Sequence, residues 1–179
     1  ATAAATVASS AAAEAARSAQ KALAARISAA GRAHAWQQAL ALLGSSLRRR
    51  VELDLPLFNA AVGACARASR WREALAISAQ RQRKGMPLDN VGATAAISAC
   101  GKGRRWDLAL ALLEEIWNAL HGLDATVLNA AISACERATR WMRALQLVAR
   151  ALEARPAPDT ISFNAAISAC GRDGNWAFA

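Results

Sequence analysis

One residue pattern recurs along this chain every 35 positions, and no single globular core accommodates such a recurrence. Trp36, Trp71, Trp106, Trp141 and Trp176 keep the interval, as do Cys65, Cys100, Cys135 and Cys170. Asp54, Asp89, Asp124 and Asp159 keep it too. Three unrelated residue types do not share one period by chance, so the chain is an array of like units. We divide it into residues 55–89, 90–124 and 125–159 as full units. Residues 20–54 are an imperfect first unit and 160–179 a partial last one. Residues 1–19, rich in Ala, Ser and Thr, precede the array. They fit an Ala-rich capping helix, a degenerate earlier unit or the remains of an organelle transit peptide. With no initiator Met and a last unit that stops halfway, the chain is expected to be a fragment or a processed product.

Each unit has helical periodicity. Leu128, Ile132 and Cys135 fall on one stripe, and Trp141, Ala144, Leu145 and Val148 on another. Two short helices per unit are expected, in the first unit from about Leu23 to Ala33 and from Trp36 to Leu47, with Gly31 ending the first of them. Helices this short are marginal alone in water, so hairpins must stack to bury their faces. The expected fold is all-α, an α-solenoid of stacked 35-residue helix-turn-helix units in a right-handed superhelix. The column Ala39, Ala74, Ala109, Ala144 is expected where helices approach closely, and Pro87, Pro156 and Pro158 are expected to stop second helices. The Trp column reads as core, with base stacking as the alternative.

The net charge of +9 favours a polyanionic partner, either nucleic acid or an anionic membrane surface. No apolar run reaches the roughly 18 residues that span a bilayer. The cysteines lack the C-x-x-C spacing of zinc or redox sites. Helix neighbours about 8–10 Å apart exceed the roughly 7 Å that a disulfide allows between Cα atoms, so buried thiols are expected. An enzyme is not expected. His34 and His121 stand in unrelated places, GKGRR at 101–105 lacks phosphate-loop spacing, and Glu114 with Glu115 reads as a solvated pair. We expect no metal and no cofactor.

Three polar columns are candidates for binding. Asn59, Thr94, Asn129 and Asn164 stand near the start of each first helix. Asp89, Asp124 and Asp159 close the units, and Arg32, Arg67, Lys102, Arg137 and Arg172 stand near the ends of first helices. An Asn or Thr with an Asp one unit on offers donors and acceptors once per repeat, enough to read one base edge. The cations would track phosphates. The same residues also suit structural duties, since Asn, Thr and Asp are N-cap types and cations complement helix C-termini.

The runs LFNAAVGACARASRWREALAI, TVLNAAISACERATRWMRALQLV and SFNAAISACGRDGNW, with linkers GMPLD and APD, resemble pentatricopeptide repeats of the P type. The Ala-Ile-Ser-Ala-Cys run and the Trp column are similar to members from dinoflagellate algae. The resemblance covers about residues 20–179. It departs at Ala24, where other units have Asn or Thr, and at Pro56, where a branched apolar residue is usual. It implies single-stranded RNA as partner, read one base per repeat, in a mitochondrion or plastid, for RNA processing, stability or editing. Asn59 with Asp89 resembles a uridine reader, Thr94 with Asp124 a guanosine reader, and Asn129 with Asp159 a uridine reader. Asn164 implies a pyrimidine, so the core is 5′-U-G-U-pyrimidine, while Ala24 with Asp54 matches no pair. Val91, Thr126 and Ile161 would clamp the bases, and the cation column would contact phosphate. A tetratricopeptide-like scaffold that binds protein is the alternative.

Overall fold

The computed structural model describes residues 2–48, 54–119, 123–154 and 156–172. Among these residues the regular structure is entirely helical. The helices are α1 (Thr2–Arg32), α2 (Trp36–Arg48), α3 (Leu55–Arg67), α4 (Trp71–Arg83), α5 (Asn90–Lys102), α6 (Trp106–Ala119), α7 (Ala125–Arg137), α8 (Trp141–Glu153) and α9 (Thr160–Arg172). The architecture is the α-solenoid expected from the period. Trp176 and His121 lie outside the described residues.

The first helices, α1, α3, α5, α7 and α9, form a continuous row, each packed on the one before and the one after. Each second helix packs on the first helix of its own hairpin and on that of the next. Among the described residues no two second helices bring Cα atoms within 8 Å. Small residues make the row close. A Cβ on Gly101 would lie 2.9 Å from the Ala134 Cβ, and one on Gly31 would lie 2.7 Å from the Ala64 Cβ. The column Ala39, Ala74, Ala109, Ala144 is fully buried, but these glycines mark tight approaches elsewhere, between first helices.

Second helices meet through long exposed side chains instead. Gln82 donates to Glu115 at 2.7 Å, and Arg150 donates to Glu114 while stacking 4.2 Å from the Trp117 ring centre. The acidic pair 114–115 is thus a bridge between hairpins as well as a solvated face.

The first unit corrects two expectations. Its first helix does not start near Leu23. It runs back to Thr2, so residues 2–19 are one helix with it. Nor does Gly31 end that helix, because it sits inside α1 against Ala64 and the Arg67 guanidinium. The left-handed residue that turns the chain is His34, with φ 56°. Its counterparts Ser69, Arg104 and Thr139 share that conformation, at φ 59°, 56° and 56°. The next amide in each turn reaches back to a carbonyl five residues earlier, as in Arg70 N–H to Cys65 O at 2.9 Å, which closes the helix end. Downstream, α4 and α8 stop ahead of Pro87 and Pro156.

The four cysteines are buried free thiols. Burial pushes Cys65, Cys100 and Cys135 up to about 11. The Trp column is half-buried rather than fully core. Each ring from Trp36 to Trp106 is covered by an arginine of the next hairpin's turn, with Arg70, Arg105 and Arg140 at 4.3, 4.9 and 5.0 Å from the ring centres.

Candidate nucleic-acid interface

Helical spacing aligns three side chains on each first helix, because positions i, i+4 and i+8 share a face. On α5 these are Thr94, Ser98 and Lys102, and on α7 they are Asn129, Ser133 and Arg137. Between the two helices lies a cleft of about 290 Å³ lined by Ser98, Lys102, Thr126, Asn129, Ser133 and Arg137. A clamp candidate, Thr126, a reader candidate, Asn129, and two phosphate candidates, Lys102 and Arg137, therefore share a single depression. Ser98 and Ser133 went unnoticed among the polar columns, although Ser28 and Ser168 also keep their interval.

Two members of the Asp column, Asp89 and Asp159, each cap a helix and hold a candidate reader at once. Asp89 accepts the Gly92 N–H at 3.1 Å with Oδ1 and the Asn59 amide at 2.7 Å with Oδ2. Asp159 accepts the Ser162 N–H at 2.9 Å with Oδ1 and the Asn129 amide at 3.1 Å with Oδ2. Asp54 and Asp124 cap α3 and α7. Asn59 and Asn129 themselves do not cap; each ties its unit to the Asp that opens the next helix. Thr94 behaves differently. Its hydroxyl donates to the Asn90 carbonyl at 2.7 Å, so Thr94 and Asp124 are not joined. Asn164 is exposed.

Asp89 and Asp159 titrate low for identifiable reasons. Burial acts to raise Asp89, but hydrogen bonds from Asn59 and Arg81 overcome it and hold the group below its ordinary range. The Ser162 amide, then the Asn129 side chain, lower Asp159.

The clamp positions are open to solvent, with Val91 65% and Ile161 62% exposed and Thr126 exposed as well. Large aliphatic side chains held in water at repeat intervals offer apolar surface to a flat ligand. Pro56 is likewise exposed, in the first turn of α3. With Lys21, Ala24 and Asp54 it borders a second cleft, about 420 Å³, which Glu14 and Arg17 of the extended α1 also line.

The cations share a field. Burial, then the like charges of Arg137 and Arg67, pull Lys102 below its usual range. Among the described residues, no carboxylate forms an ion pair with Arg67, Lys102 or Arg137, whereas Arg172 meets Glu136 at 3.5 Å. Like charges kept adjacent without partners form a site for an anion.

The period also hid Arg81, which is 1% exposed and bonded to both Asn59 and Asp89 at 2.9 Å. Its counterparts are Ser46, Ile116 and Ala151, so a charge in an otherwise small or apolar column was the available signal.

Residues 93–119 match the family model described as PPR repeat, which spans the α5–α6 hairpin. That hairpin is similar to a pentatricopeptide repeat. The fold of the chain is similar to the crystal structure of the pentatricopeptide repeat protein PPR10 from maize, with a TM-score of 0.73 at 23% identity over 83% of this chain and 21% of that one. It is also similar to PPR10 in complex with an 18-nt psaJ RNA element, with a TM-score of 0.76 at 21% identity over 89% of this chain and 24% of that one. The chain thus spans less than a quarter of the length of PPR10. No curated protein matches the sequence.

Proposed function

We propose that this pentatricopeptide array binds single-stranded RNA, one base per unit, with the core 5′-U-G-U-pyrimidine read 5′ to 3′ from the second unit onward. Asn59 with Asp89 and Asn129 with Asp159 take uridine, Thr94 with Asp124 takes guanosine, and Asn164 takes a pyrimidine. Val91, Thr126 and Ile161 flank the bases. Arg32, Arg67, Lys102, Arg137 and Arg172 follow the phosphates. The service is processing, stabilisation or editing of transcripts in a mitochondrion or plastid.

The observation that carries the reading is the cleft between α5 and α7, where a clamp, an Asn held by an Asp and two unpaired cations lie together. A base needs flat apolar contact and edge hydrogen bonds, and its phosphate needs a cation beside it. The likeness to PPR10, whose structure was determined in complex with an RNA element, adds to that support.

The test compares an oligonucleotide containing UGUU with one carrying A at the second place. Tighter binding of the first is expected, and equal affinity would remove the base code. Retention of acidic peptides without any affinity for RNA would favour the protein-binding scaffold instead. A high ratio of absorbance at 260 to 280 nm in the purified protein would reveal bound nucleic acid.

A further inference from the structure

Both Asn–Asp pairs are completed by a third group, and the third group differs. In the second unit it is Arg81 of α4, whose Nη1 donates to Asn59 Oδ1 and to Asp89 Oδ1, both at 2.9 Å. In the fourth it is Ser162 of α9. Its hydroxyl donates to Asn129 Oδ1, lies 3.1 Å from Asp159 Oδ1 and accepts the Asp159 N–H at 3.3 Å. Both residues are buried, Arg81 at 1% and Ser162 at 0% exposure.

The two donors come from two different slots of the repeat. One slot holds Ser46, Arg81, Ile116 and Ala151, and the other Leu57, Gly92, Val127 and Ser162. Where Arg81 fills the first, the second is Gly92. A Cβ there would lie 2.7 Å from both Arg81 Nη1 and Asn59 Oδ1. Where Ser162 fills the second, the first is Ala151, too short to donate. In the third unit both slots are aliphatic, Ile116 and Val127, and the reader is Thr94, whose hydroxyl turns back to its own helix. The two Asn readers that meet an Asp thus have a buried donor behind them and the Thr reader has none. Arg81 also keeps Nε and Nη2 buried without partners, a cost that packing alone does not explain.

We propose that Arg81, with Gly92 as its complement, and Ser162 are positioning residues that lock the reading amide and so decide between uracil and cytosine. Resting on the RNA reading above, this adds two specificity determinants outside the column of readers. Asp holds the Asn nitrogen and the third donor holds its oxygen, leaving one N–H and one oxygen lone pair in a fixed order. Uracil has a donor at N3 flanked by two acceptors, so it accepts that order readily. Cytosine has an acceptor at N3 with a donor on one side only, so its fit depends on the order. An amide fixed at both atoms discriminates more sharply than one that swings on a single bond.

The test measures affinity for oligonucleotides with U or C opposite the second unit, and separately opposite the fourth. Ser162→Ala is a mild change and is expected to lower the U-to-C ratio three- to tenfold at the fourth unit alone. Arg81→Ala is expected to do so at the second unit alone, and the double variant Arg81→Ala/Gly92→Ser to restore it by supplying the hydroxyl from the other slot. Circular dichroism and melting identify any variant that has lost its fold, and the unmodified unit in each protein serves as control. Ratios unchanged in Ser162→Ala, or unrestored in a folded double variant, would overturn the inference while leaving one-base reading intact. Wild-type protein that fails to distinguish U from C at either unit would sink the base code, and this inference with it.

Discussion

Asn129 and Asp159 stand thirty positions apart and meet at 3.1 Å, joining one hairpin to the next through a single amide and a single carboxylate oxygen. Thr94 and Asp124 stand at the same separation and do not meet, because the Thr94 hydroxyl is committed to Asn90. The difference makes the third unit the most informative place to intervene.

Thr94→Asn is expected to move preference at the second base from G towards pyrimidines, by about tenfold for about 1.4 kcal/mol of lost and gained edge contacts. Because Ile116 and Val127 supply no donor behind it, the new amide should treat U and C nearly alike. Competition binding with the four bases at that place checks both points. An unchanged G preference would mean that position 94 does not read.

Replacing Arg67, Lys102 or Arg137 singly by Ala is expected to weaken binding to every sequence equally. Each change should flatten the slope of log affinity against log salt by about 0.7, the value for one phosphate on a single strand. Arg172→Ala should do less, since Glu136 already occupies that guanidinium. Titrations between 50 and 300 mM salt, read by fluorescence anisotropy, measure the slopes. A change in sequence preference would contradict the phosphate assignment.

How much of this was legible beforehand depended on what repeats. Trp, Cys and Asp keep one interval, so the hairpin, its stacking and the columns could be read from spacing. Residues that serve by breaking the interval could not. Arg81 stands in a slot that is elsewhere Ser, Ile or Ala, and its partner Gly92 in one that is elsewhere Leu, Val or Ser. Gly31 misled for a related reason. Glycine often ends a helix, but here its missing Cβ admits Ala64 and Arg67, and the turn falls to His34. The first helix began earlier than its apolar stripe indicated, because an Ala-rich segment continues a helix without any stripe.

Asp89 gives the array a pH dependence of known sign. Its carboxyl is held below the ordinary range in the folded chain, so folding gains from ionisation above the unfolded value of roughly 4. That gain is fully present near neutrality and is lost as pH falls from the unfolded value through the lower folded one. Urea midpoints measured from pH 6 to pH 2.5 should fall less steeply for Asp89→Asn than for the wild type. Parallel curves would show that the carboxylate contributes nothing to folding.

Thr139 holds φ at 56°, a conformation costly for a β-branched side chain. Thr139→Gly is expected to stabilise the fold by about 0.5–1 kcal/mol, after the greater freedom of glycine in the unfolded chain is subtracted. Chemical denaturation measures it. Destabilisation would mean that the Thr139 hydroxyl, which bonds the Ala138 carbonyl at 2.7 Å, matters more than the backbone.

The two edges of the stack are built unlike each other. Along one, Gly101 against Ala134 leaves no slack. Along the other, successive hairpins are tied by Gln82 to Glu115 and Arg150 to Glu114, exposed links that are individually weak. Such a stack has a stiff spine and a compliant rim. Fanning the rim open would break those links without parting one second helix from another, but it would also strain the packing of each second helix on the next hairpin's first helix. The step between hairpins can therefore adjust to a bound strand as far as that packing gives.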